Sequence, residues 1–192
     1  MKVIVLALLL AATAGGGFGA KPASAGFGVW IKPGEPLPKD KAPGMKARQI
    51  ANGAETTYVV AFQKGDEVAT GLDDFAAAHN VRGGRLSAIG AVSDAVLGYF
   101  DRSRMEYKVI RVPQQAEVLA FTGNITTYND KPLLHAHVVL GFPDGRTVGG
   151  HLFAAHVWPT LEMFVVDSRS TIHKELDPET GLALMAPDTA SK

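Results

Sequence analysis

From Met45 onward, β-rich runs follow one another with turn residues between them, and only one segment shows helical periodicity. This pattern restricts the chain to a sheet-dominated fold. Tyr58 to Phe62 is the first run, closed by Lys64-Gly65-Asp66. Leu86 to Val92, Ala95 to Phe100 and Met105 to Val112 follow, then Glu117 to Tyr128, Leu133 to Phe142, Thr147 to Phe153 and Leu161 to Val166. Asp101-Arg102-Ser103-Arg104, Asn129-Asp130-Lys131-Pro132 and Pro143-Asp144-Gly145 supply turns between successive runs. Val68, Leu72, Phe75, Ala76 and His79 recur at helical spacing across Glu67 to Asn80. The spacing predicts a helix with one buried face and Asp66 as its cap. Gly71 should weaken it by about 1 kcal/mol relative to Ala. The expected class is α+β, a largely antiparallel β-sheet flanked by one or two helices. One helix cannot cover such a sheet, so an apolar face is left for a second copy of the chain.

The N-terminus reads differently. Lys2 precedes an apolar run from Val3 to Ala12, and a small-residue stretch ends in Ala23-Ser24-Ala25. This is the tripartite pattern of a secretion signal over residues 1–25. The run is about half the roughly 20 residues that span a bilayer, so no membrane anchor is expected after cleavage. Location in the periplasm or outside the cell follows. Residues 26–44 hold several prolines among Gly and Lys and read as a linker, residues 45–184 as the domain, and residues 185–192 as a tail. Nineteen basic and nineteen acidic side chains balance, and loss of Lys2 and Lys21 tips the chain mildly acidic. A partner bound through nucleic-acid phosphates is therefore not expected. There is no Cys, which excludes disulfides, thiolate nucleophiles and Cys-type metal sites. Histidine and carboxylate carry whatever chemistry there is.

His135 and His137 lie two apart in a strand, so their imidazoles emerge on one face about 7 Å apart. A hairpin at Pro143-Asp144-Gly145 would return His151, after Gly149-Gly150, toward that pair. The glycines permit close approach of backbone or ligand. Three imidazoles with an open position are the makings of a zinc-type site, and solvated or hydrogen-bonded strand histidines are the other reading of the same spacing. His156 is offset to the opposite face. His79 and His173 read as structural or surface residues. Glu162 is a candidate carboxylate ligand or base, set against a solvent-facing place in the alternation Leu161-Glu162-Met163-Phe164. The nucleophile elbow, the zincin helix and the phosphate loop are all missing.

Taken in order, Leu86-Ser87-Ala88-Ile89-Gly90-Ala91-Val92, Leu97-Gly98-Tyr99-Phe100-Asp101 and Glu117 through Ile125 resemble the PPC (plants and prokaryotes conserved) domain. His135-Ala136-His137-Val138-Val139-Leu140-Gly141, Gly149-Gly150-His151-Leu152 and Thr160-Leu161-Glu162 continue the series, which covers roughly Ala47 to Leu184. The resemblance implies an antiparallel sheet assembled as a homotrimer. It also implies a metal at a histidine cluster that falls here on His135, His137 and His151. In plants such domains accompany AT-hook DNA-binding motifs, which this chain lacks. The resulting expectation is an exported trimeric domain that binds zinc or another divalent transition metal, or a small-molecule ligand, through the trio. Two alternatives stand beside it: a metal-dependent hydrolase of a small substrate assisted by Glu162 or Asn124, and a purely structural trimerisation module.

Overall fold

A computed structural model describes residues 29–35, 37 and 40–187. The secretion signal expected over residues 1–25 lies outside the described residues. The elements in chain order are β1 (Trp30–Ile31), β2 (Lys46–Asn52), β3 (Thr56–Gln63), α1 (Val68–His79), β4 (Gly84–Asp101), β5 (Glu106–Val112), β6 (Ala116–Tyr128), β7 (Lys131–Gly141), β8 (Thr147–Asp167), β9 (Lys174–Leu176) and β10 (Ala183–Met185). Eight strands form one sheet in the order β1-β5-β4-β6-β7-β8-β3-β2, and β4 also pairs with β8. That extra pairing closes β4, β6, β7 and β8 into a ring of antiparallel ladders around the core. The class is α+β as expected, with one helix among the described residues.

Two pairs of expected strands are single elements. Leu86–Val92 and Ala95–Phe100 merge into the 18-residue β4, and Thr147–Phe153 and Leu161–Val166 merge into the 21-residue β8. Turn-forming residues between the runs suggest a break, but the ladder absorbs them as register shifts between Gly90 and Val92, Val92 and Asp94, and Val96 and Leu97. Pro159 fits the interior of β8 because β4–β8 pairing steps there from Val157 to Leu161, leaving no ladder donor missing. Bulges bend the strands strongly enough for β4 and β8 to wrap the core.

The helix is capped by Glu67 rather than Asp66. Glu67 accepts hydrogen bonds from the backbone N–H of Ala69 (3.0 Å) and Thr70 (2.7 Å), and from Ala155 of β8 (3.1 Å). Asp66 instead accepts from Gly44 and Gln63, each at 2.8 Å, and so fixes the chain entering β2 against the end of β3. Both carboxylates are buried, and backbone donors satisfy them. Gly71 lies where a Cβ would come within 2.5 Å of the Phe62 ring and 2.7 Å of Ala42. Its cost in helix propensity is offset by the close packing of α1 on β3. The core is continuous, with Val60, Phe62, Val68, Leu72, Leu97, Leu161 and Val165 fully buried.

Candidate metal centre

The trio arises from strand alternation and one tight turn. In β7, Ala136, Val138 and Leu140 are buried while His135 and His137 take the other face. The turn after β7 is held by hydrogen bonds from Phe142 N–H to Arg146 O and from Gly145 N–H to Phe142 O, each 2.9 Å. It sets a register in which His151 of β8 lies directly opposite His137. The ring centroids are 5.2 Å apart for His135–His137 and His135–His151, and 5.5 Å for His137–His151. One ligand nitrogen from each ring lies within 4.8 Å of the others.

Surrounding groups set the electrostatics. His151 packs against Tyr107 (5.2 Å between centroids) and Phe153 (5.1 Å). Gly98 makes room for this wall, since a Cβ there would meet the Phe153 ring at 2.5 Å and the Tyr107 ring at 3.0 Å. Burial among these rings, reinforced by His135, His137 and Lys174, pushes the His151 pKa down to about 4. Burial likewise lowers that of His135, with Lys174 and His137 adding to the effect. Both imidazoles are thus neutral at pH 7, the form that coordinates a metal. Desolvation also raises the pKa of Tyr107 and lowers that of Lys174.

These residues fit a metal. Nε2 of His135 and Nε2 of His137 are 3.3 Å apart. A tetrahedral centre with bonds of about 2.0–2.1 Å requires ligand nitrogens about 3.3 Å apart. The buried Nδ1 of His151 has no hydrogen-bond partner among the described residues. An all-imidazole donor set suits zinc and its transition-metal neighbours over magnesium or calcium, and three protein ligands leave a position open. Beside the trio opens a cavity of about 520 Å³, to which His135 and His151 both contribute.

The two auxiliary candidates separate. Asn124 lies directly opposite His135 across the β6–β7 ladder, with its Oδ1 buried and unpartnered among the described residues. Glu162 is exposed and pairs with Ala61 and Ile89, eleven residues beyond His151 on β8 and about 35 Å along an extended strand. The structure does not bring it to the trio. His156 hydrogen-bonds through Nδ1 to Asp94 (2.8 Å) and contacts Asp40 through Nε2 (3.4 Å). Burial disfavours its charge, but the Asp94 hydrogen bond and charge, aided by Asp40, outweigh this and raise its pKa. His79 packs on Tyr58 and Phe75, and His173 forms a bridge to Thr127. Tyr107, Phe153 and Lys174 border the site without having been singled out from sequence. Phe153 shares a face of β8 with His151 two residues on, whereas Tyr107 comes from β5 and nothing local marks it or Lys174.

A curled antiparallel sheet carrying three convergent histidines defines a β-rich domain equipped to hold a metal ion. The chain belongs to the Plants and Prokaryotes Conserved (PCC) domain family, abbreviated PPC above, whose sequence model matches residues 49–168. It is similar to the crystal structure of a candidate DNA-binding protein from Bacteroides thetaiotaomicron, with a TM-score of 0.71 and 26% identity, covering 76% of this chain and 99% of that one. A metal-containing protein from Archaeoglobus fulgidus matches with a TM-score of 0.64 and 31% identity over 72% of this chain and 96% of that one. A PPC protein from Pyrococcus horikoshii gives a TM-score of 0.64 and 29% identity over 70% and 93%. Among curated proteins, the bifunctional protein GlmU of Synechococcus sp. (strain JA-3-3Ab) is 28% identical over 154 residues, 79% of this chain. The match spans only 23% of that protein's length.

Proposed function

We propose that this protein is an exported, trimeric PPC-domain protein that holds a divalent transition metal of the zinc type at His135, His137 and His151 and offers the open position to a small ligand. The observation that carries the reading is the convergence of the three imidazole nitrogens within 4.8 Å. The Archaeoglobus fulgidus relative, described as metal-containing, supports it. A bound metal would supply a Lewis-acidic position facing the cavity. His135 and His151, kept neutral by burial, would hold it, with His137 closing the set from the more exposed side. The hydrolase alternative loses Glu162, which sits far along β8, and keeps only Asn124, opposite His135, as an assisting group. A nucleic-acid partner forms no part of this reading, given the balance of 19 basic and 19 acidic groups.

Metal analysis of the purified protein, before chelation and after reloading with zinc, is the test. We expect about one ion per chain, in keeping with one three-histidine site. His137→Ala should lower zinc affinity at least tenfold without loss of fold, and His79→Ala should leave it unchanged. Failure of the wild-type protein to take up zinc, nickel or cobalt would overturn the assignment.

A further inference from the structure

The cavity beside the trio is built largely by chain outside the family match at residues 49–168. One wall is formed by Ile31 to Glu35 together with Leu37, and another is the β9–β10 hairpin with its connecting turn. Both are fastened to the domain. Ile31 pairs with Tyr107, and Val109 N–H donates to Val29 O at 3.0 Å. Thr127 N–H donates to Ile172 O at 2.8 Å, and the hairpin itself is closed by Ala186 N–H donating to His173 O at 3.0 Å. The hairpin turn is locked by Asp177, which accepts from Thr180 N–H at 3.0 Å. These contacts place Lys174 in the wall of the cavity beside His135 and His151.

Lys174 is only 8% exposed and forms no ion pair with any described residue. Glu35, on the opposite wall, accepts instead from the Lys32 backbone N–H at 3.0 Å. A buried ammonium without a counter-charge is costly, and the cost is recovered when an anion occupies the space in front of it. The remaining lining is mostly apolar, with Leu134, Leu176 and Leu182 from three different segments. At about 520 Å³ the cavity is within the size range of small-molecule sites.

We propose that this cavity binds a small organic carboxylate, its head group held between the metal at the trio and the Lys174 ammonium and its apolar body against the leucines of the hairpin. The inference rests on the metal reading of the trio and adds the ligand class. Lys32 also lines the cavity but is exposed, so the buried Lys174 ammonium and one open metal position are matched to the two oxygens of a carboxylate. A phosphate ester would call for more donors, and no arginine lines the cavity.

Calorimetric titration of the zinc-loaded protein with hexanoate, hexan-1-ol and hexyl phosphate tests it, alongside Lys174→Met. Hexanoate should bind at least tenfold tighter than hexan-1-ol and tighter than hexyl phosphate. Lys174→Met should lose at least tenfold in hexanoate affinity with its zinc content unchanged. The ligand-free variant should melt no lower than wild type, because it loses an uncompensated buried charge. Zinc binding with hexanoate no tighter than hexan-1-ol, or with hexanoate affinity untouched by Lys174→Met, would overturn the proposal while leaving the metal site standing. Preference for hexyl phosphate would overturn the carboxylate assignment. If zinc does not bind, the metal reading falls separately; hexanoate binding that needs Lys174 would still support the pocket, and its absence would refute it.

Discussion

At the residue scale, the trio combines two opposed demands. Burial against Tyr107 and Phe153 makes protonation of His151 unfavourable, which keeps a ligand nitrogen available and makes the metal-free fold sensitive to acid. In the unfolded chain His151 titrates at about 6.5, whereas in the fold it is held at about 4. Between those values the unfolded state binds more protons, so stability falls as pH drops through that window. Urea unfolding of the chelated protein at pH 7.5 and pH 4.5 should show a loss on the order of 2 kcal/mol attributable to this residue. In His151→Phe that loss should shrink, since the apolar ring suits the aromatic wall; an unchanged slope would place the acid sensitivity elsewhere. His156 has the opposite sign: its raised pKa stabilises the fold at low pH and stops doing so as pH rises through it.

Elements here are shaped by where side chains are absent as much as by where they are present. Gly71 is poor for helix α1 taken alone, and Gly71→Ala would improve propensity by about 1 kcal/mol. The added Cβ, however, would meet the Phe62 ring at 2.5 Å and Ala42 at 2.7 Å. Overpacking of a tight core site costs about 1–3 kcal/mol, so the balance should be net destabilisation by chemical denaturation. A more stable Gly71→Ala protein would mean that the helix can shift off β3. The same reasoning accounts for the long strands. β4 and β8 hold Gly, Ser and Pro where isolated strands would end, and they continue because each is paired along both edges.

For the whole molecule, the outward sheet face remains uncovered. Ile89 is 64% exposed, Phe164 53% and Leu119 51%. The β2 edge is fully exposed and carries Lys46 and Arg48, which discourage edge-to-edge pairing. A partner copy is therefore expected on the face, in line with the trimer we propose. Light scattering should give about three chain masses, and Phe164→Glu should shift it toward monomer, because burying a carboxylate in an apolar interface is unfavourable. A wild-type monomer would refute the trimer. Export is checked by intact mass: protein recovered outside the cytoplasm should begin at Gly26, and retention of residues 1–25 in a cytoplasmic pool would refute it.

Local order was legible from the amino-acid sequence because it depends on near neighbours. Period-two alternation set His135 and His137 on one face, and the Pro143-Asp144-Gly145 turn made the return of His151 a geometric expectation. Helical spacing found α1 within a residue of its ends. The tertiary structure alone decided which turn signals become bulges, because a ladder partner on each edge outweighs local propensity. It also decided that Glu67 rather than Asp66 caps the helix: a buried carboxylate goes where backbone N–H groups converge, and those of Ala69, Thr70 and Ala155 converge on Glu67. Lys174 was illegible for the same reason. Nothing adjacent in the chain distinguishes it, and its burial beside the trio follows from the hairpin docking along β6, a contact between segments that only the folded chain brings together.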